Sequence, residues 1–121
     1  MKRQWSAEEL VEQFTLMPDE TDLLANKSGA NCLGFALLLK FFEIEARFPT
    51  SRQEVPQLVI SYIAKQLDLS PRVYREYEWQ GRTIERHRAE IRDFFGFRES
   101  TLQDAQELTA DFSLIKYSGN L

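Results

Sequence analysis

The sequence predicts a fold made entirely of helices, and three observations carry that prediction. The run from Ala30 to about Glu45 is long, apolar nearly all round and free of Pro. Helix-start signals recur along the chain, at Ser6-Ala7-Glu8-Glu9, at Pro18-Asp19-Glu20 and at Ser70-Pro71. The stretch Ile63 to Tyr77 reads as two short helices joined by a tight turn.

Ser6 caps a first helix and Glu9, three residues later, closes a capping box. Trp5 and Leu10 supply the hydrophobic staple, and the helix runs to about Phe14. Pro18 opens a second helix whose Asp19, Glu20 and Asp22 suit the positive end of the dipole, a structural use of acids. Lys27-Ser28-Gly29 ends it. The third helix carries Leu33, Ala36, Leu37, Lys40, Phe41 and Ile44 on one stripe and Phe35, Leu38, Leu39 and Phe42 over much of the remainder, so it is expected at the centre of the molecule. A turn at Phe48-Pro49-Thr50-Ser51 leads to a helix from Val55-Pro56 whose inward residues are read as Leu58, Val59, Tyr62, Ile63 and Leu67. A further helix is expected from Arg82 or Thr83 to Phe95, ended by Gly96 in a left-handed cap, with Ile84, His87, Ile91, Phe94 and Phe95 as its apolar stripe. An acidic last helix comes next, and Ser113 to Leu121 reads as a tail with a linker at Ser118-Gly119-Asn120.

With 121 residues and ordinary globular composition, one ordered domain is expected, able to fold without disulfide or metal. The single Cys32 forms no internal disulfide, suits a reducing compartment and reads as a packed apolar residue. The apolar run Leu33 to Ile44 is too short for a membrane span and is interrupted by Lys40 and Glu43. No secretory signal succeeds Met1-Lys2-Arg3, so the expected location is the cytosol and nucleoid, with no membrane partner.

Charge is unevenly spread. Residues 1–46 carry 4 basic and 8 acidic groups, residues 47–98 carry 10 and 7, and residues 99–121 carry 1 and 4. Nine of the ten basic residues of the middle segment are Arg, the type suited to bidentate phosphate and guanine contacts.

The stretch Ile63–Tyr77 has the layout of a helix-turn-helix. Ala64 permits a close crossing, Leu67 and Leu69 anchor the two sides of a turn at Asp68, and a second helix starts at about Pro71. Tyr74 and Tyr77 pack back, leaving Arg72, Val73, Arg75 and Glu76 outward; a plain helical hairpin gives a similar pattern. On the next helix Arg82, Arg86 and Asp93 lie opposite the apolar stripe, with Arg88 and Arg92 on a flank. The like-charged pairs Arg82/Arg86 and Arg88/Arg92 each cost about 0.2–0.5 kcal/mol, which an anionic partner offsets; equally, Glu85, Glu90 and Asp93 can neutralise them as a solvated face. Ile91 to Ala105 repeats the motif spacing around Gly96 and reads as a second candidate unit, weakened by Arg92 and by the acids of its last helix. The candidate nucleic-acid-binding residues are thus Lys65, Arg72, Arg75, Arg82, Arg86, Arg88, Arg92 and Arg98.

Catalytic chemistry is poorly provided for. The only histidine, His87, sits on an apolar stripe and reads as packed or as touching a phosphate. The carboxylates sit in helix first turns or on exposed faces, and the five glycines are scattered. A binding module without cofactor or metal is expected, rather than an enzyme.

The chain resembles the amino-terminal domain of the replicative transposases of the Tn-three family, over nearly its whole length. The matching blocks are Leu33-Gly34-Phe35-Ala36, Leu39-Lys40-Phe41-Phe42, Arg47-Phe48-Pro49, Tyr62-Ile63-Ala64 with Gln66-Leu67, Tyr77, Gly81-Arg82-Thr83, His87-Arg88, Ile91-Arg92 and Gly96-Phe97-Arg98. The resemblance implies a domain that binds double-stranded DNA at the terminal inverted repeats, with the metal-binding catalytic acids in a separate carboxy-terminal domain outside this chain. It also implies that the chain is the first part of a longer protein, as an expressed fragment or a truncated gene product, with self-association through the full-length transposase. The alternative is a protein-interaction or oligomerisation domain with no direct DNA contact.

Overall fold

The computed structural model describes the backbone of residues 1–110 and the side chains of residues 1–96. Among them stand five α-helices, α1 (Ala7–Phe14), α2 (Pro18–Leu24), α3 (Gly29–Glu45), α4 (Gln57–Gln66) and α5 (Arg82–Ala110), with 3-10 segments at Arg52–Glu54 and Pro71–Glu76 and no strand. The all-helical expectation holds. None of the described helices is long and apolar enough to cross a membrane. The expected tail lies outside the described residues.

Local chemistry explains where the helices begin. Ser6 Oγ accepts from the Glu9 N–H at 3.1 Å and Glu9 Oε1 accepts from the Ser6 N–H at 2.9 Å, the reciprocal box expected of that spacing. Trp5 meets the buried Phe14 ring edge-on at 4.9 Å. Pro18 occupies the first turn of α2, and Glu20 Oε1 accepts from the Met17 N–H at 2.9 Å.

α3 is the central helix: every residue from Cys32 to Phe41 is buried. Lys40 is among them, 3% exposed, with its ammonium 2.8 Å from Glu20 and 3.0 Å from Glu43. Burying that charge is tolerable because it is paired, and the Glu20–Lys40 pair joins α2 to α3. α3 ends at Ala46, which takes the left-handed conformation and donates its N–H to Phe42 O.

The connection to α4 is held by polar contacts. Glu54 pairs with Arg47 and accepts from the Thr50 N–H at 2.7 Å, while Arg3 donates to the carbonyls of Gln53 and Glu54. α4 buries Val59, Ile60, Ile63 and Ala64. Its inward face is turned from the expected one: Leu58 is 40% exposed and Tyr62 and Leu67 are only half-buried, because α4 packs on α1, α3 and the 3-10 segment Pro71–Glu76 at once. The Gln66 amide donates to Phe14 O at 2.9 Å and accepts from the Leu16 N–H at 2.8 Å, joining α4 to the end of α1.

α5 corrects two expectations. It runs without a break through Gly96 to Ala110, so Gly96 is no cap and Ile91–Ala105 is no second helix-turn-helix. A glycine inside a helix costs about 1 kcal/mol relative to Ala but does not by itself end one. Among the described glycines, Gly29 at φ 57° and Gly81 at φ 104° take positive φ, the latter immediately before α5 starts. The chain divides into two units, Met1–Arg88 and Ala89–Leu121, with α5 contributing to both. The first unit holds α1 to α4, the 3-10 segments and the opening turns of α5.

Candidate nucleic-acid interface

Three of the residues expected to face DNA, Lys65, Arg72 and Arg75, flank the turn between α4 and the segment Pro71–Glu76. Asp68 makes that turn in the left-handed conformation, φ 58°, which lets the Leu69 N–H reach Ala64 O at 2.9 Å. Asp tolerates this geometry better than most residues, so no glycine is needed. Ser70 Oγ then accepts from the Arg72 N–H at 3.2 Å. Pro71 opens the next turn as expected.

The chain from Pro71 to Glu76 winds as a six-residue 3-10 segment, not as the α-helix expected. Two tyrosines go with that winding, Tyr74 within the segment and Tyr77 immediately after it. At three residues per turn, side chains three apart eclipse, so Tyr74 and Tyr77 fall in one row and both enter the core, 6% and 0% exposed. The Tyr77 ring lies directly on Gly34, where a Cβ would clash with the ring carbons. Its hydroxyl is hydrogen-bonded to His87 Nδ1 at 2.7 Å, and the two rings stack at 5.7 Å between centroids. Phe35 meets His87 edge-on at 5.1 Å. Arg52 fixes the backbone from the other side: Arg52 Nη2 donates to Tyr77 O at 2.8 Å and Arg52 O accepts from the Tyr74 hydroxyl at 2.8 Å. Burial pushes both tyrosine hydroxyls well above the usual phenol range.

The same eclipsed winding puts Arg72 and Arg75 in one row, both exposed. They line a cleft of about 340 Å³ with Gln57, Ile60, Pro71 and Tyr74. Gln57 is the first residue of α4, whose opening turn carries no acidic residue and no side-chain cap. The cleft therefore combines two guanidinium groups with the positive end of a helix.

The remaining candidates distribute unequally. Arg82 and Arg86 are exposed and four apart on α5, with Glu85 between them, and the Tyr77–His87 hydrogen bond ties α5 to the 3-10 segment that carries Arg72 and Arg75. Lys65 is exposed in the last turn of α4. Arg88 is half-buried with its guanidinium 5.9 Å from the Phe48 ring centroid, so it is part of the packing more than of an outward face. Arg92 is exposed in the second unit, and the Arg98 side chain lies outside the described residues. Among the described residues no group of three or more His, Cys, Asp or Glu side chains is placed to hold a metal ion.

Sequence reasoning missed Gly34 and Arg52, which support the cleft without lining it. The signal for Gly34 was available: a glycine in the middle of a helix otherwise filled with large apolar residues marks a close approach. Arg52 leaves no such trace, because its role is set by tertiary contact.

Comparison with known proteins adds to this geometry. The DUF4158 family model, described as a domain of unknown function, matches residues 1–113. The transposase for transposon Tn501 of Pseudomonas aeruginosa is 26% identical over 109 residues, covering 89% of this chain and 11% of that transposase. The chain thus spans a small part of the relative it matches. No solved structure matches the chain.

Proposed function

This chain belongs to the DUF4158 family and is related to the amino-terminal domain of the Tn-three family transposases, and from that premise we propose that it is a DNA-binding module that recognises the terminal inverted repeats of a transposon. The observation that carries the reading is the pairing of Arg72 and Arg75 in one cleft at the uncapped start of α4. Guanidinium groups in a row can read guanine edges bidentately, while a helix amino terminus favours a phosphate. Arg82 and Arg86, on the exposed side of α5, serve as phosphate contacts that set register, and Lys65 adds to the same positive field.

On this reading the recognition element is a short 3-10 segment braced from behind. Tyr77 on Gly34, the Tyr77–His87 hydrogen bond and the two Arg52 hydrogen bonds hold it rigidly, so the arginines are presented without a long helix. On this reading the chain supplies binding and not strand cutting or joining; it corresponds to 11% of the length of the Tn501 transposase. The test is a retardation assay with an inverted-repeat duplex against a scrambled duplex. Preferential binding of the repeat that weakens steeply with salt is expected; equal, salt-insensitive or undetectable binding of both contradicts the reading.

A further inference from the structure

We propose that the groove between α1 and the carboxy-terminal part of α3 docks a basic amphipathic helix of a partner protein. Among the described residues only three large hydrophobic side chains are exposed, and two of them, Val11 (57%) and Met17 (51%), line this groove together with Ile44. Its volume, about 590 Å³, is room for several apolar side chains. Clustered exposed apolar groups in a concave site, unlike scattered ones, mark an interaction surface.

Charge selects the partner. Glu12 stands on the rim, and the hollow continues along α1 past Val11 to Glu8. Lys40 also lines the groove, yet it is 3% exposed and its ammonium is held by Glu20 and Glu43, so it offers no positive charge to a ligand. Three carboxylates, Glu8, Glu12 and Glu43, therefore line the hollow against one lysine, in a segment, residues 1–46, whose net charge is −4. Such a surface repels DNA and attracts Lys and Arg. An amphipathic helix laying two or three apolar side chains, spaced three and four apart, between Val11, Met17 and Ile44 matches the apolar floor, and flanking basic residues match the rim. None of Arg72, Arg75, Arg82 or Arg86 lines this groove, so partner and DNA can be held together.

The test uses the whole chain, isotope-labelled for NMR, and a synthetic helical peptide roughly four turns long with Leu spaced three and four apart and Lys on its flanks. Control peptides replace Lys by Glu, or Leu by Ser. The Lys–Leu peptide should bind and move the resonances of Val11, Met17 and Ile44, and both controls should bind at least about tenfold more weakly. Val11→Lys and Met17→Lys, both on exposed side chains, should each weaken the peptide by about tenfold while leaving the melting temperature and DNA retardation unchanged. The proposal is overturned if the Lys–Leu peptide fails to bind, if the Glu peptide binds as well, or if the shifts map elsewhere. Self-association that disappears in Val11→Lys would also overturn it, by showing that a second copy occupies the groove.

Discussion

Phe41 and Gly34 show what single residues contribute on α3. Phe41 is 1% exposed in the middle of the core, so Phe41→Ala should lose about 3–5 kcal/mol in urea melts. A loss below about 1 kcal/mol would mean that the site is not the core position described. Gly34→Ala adds only a methyl group, but that methyl meets the Tyr77 ring rather than a flexible chain end. It should destabilise by about 1–3 kcal/mol and, by displacing Tyr77, loosen the 3-10 segment that carries Arg72 and Arg75. Unchanged stability and unchanged DNA binding would show that Tyr77 does not depend on this contact. Phe41 was legible in the sequence because its stripe is local and periodic. The Gly34–Tyr77 contact was not, because it joins distant parts of the chain. Lys40 falls between: its place on the apolar stripe was visible, but its partner Glu20, on α2, was visible only as a helix-start acid.

Elements begin and end for reasons of differing reach. The Ser6/Glu9 box and the Pro18 start were readable because both the donor and the acceptor lie within one turn. The 3-10 winding of Pro71–Glu76 was not, since the local signals of Ser70 and Pro71 suit an α-helix equally well, whereas Tyr77 just beyond it is held by contacts from distant parts of the chain. Gly96 misled for the complementary reason: its sequence suits a cap, yet the helix continues through it. The α3–α4 connection supplies a test at this scale. Arg47, with the Thr50 N–H, holds the Glu54 carboxyl at about 2 against an ordinary 4.5. A carboxyl so depressed stabilises the fold at pH above about 4.5 and loses that contribution as pH falls towards 2. Glu54 is partly exposed, so its share at neutral pH is less than about 1 kcal/mol. Glu54→Gln should therefore be slightly less stable at neutral pH and show a shallower loss of stability between pH 4.5 and 2 in acid titrations of the melting temperature. An identical acid profile in the two proteins would remove the clamp from the account.

At the scale of the molecule, charge is partitioned by segment: acidic across residues 1–46, basic across 47–98. A net charge of −4 taken alone would turn attention away from DNA, whereas Arg72, Arg75, Arg82 and Arg86 all lie exposed within Met1–Arg88. The distribution was readable directly from the chain, as was the outward placing of Arg72, Arg75, Arg82 and Arg86; the packing of Arg88 near Phe48 was not. The most direct measurement of the central claim is the affinity of the whole chain for inverted-repeat and scrambled duplexes across a salt series, for the unaltered protein, Arg75→Ala and Arg82→Ala. Each phosphate neutralised contributes about −0.9 to the slope of log affinity against log salt. Arg82→Ala should make that slope shallower by about one and weaken both duplexes alike. Arg75→Ala should reduce discrimination between the duplexes by roughly 1–3 kcal/mol. If both variants stay folded and leave slope and discrimination unchanged, the cleft and α5 do not form the DNA face.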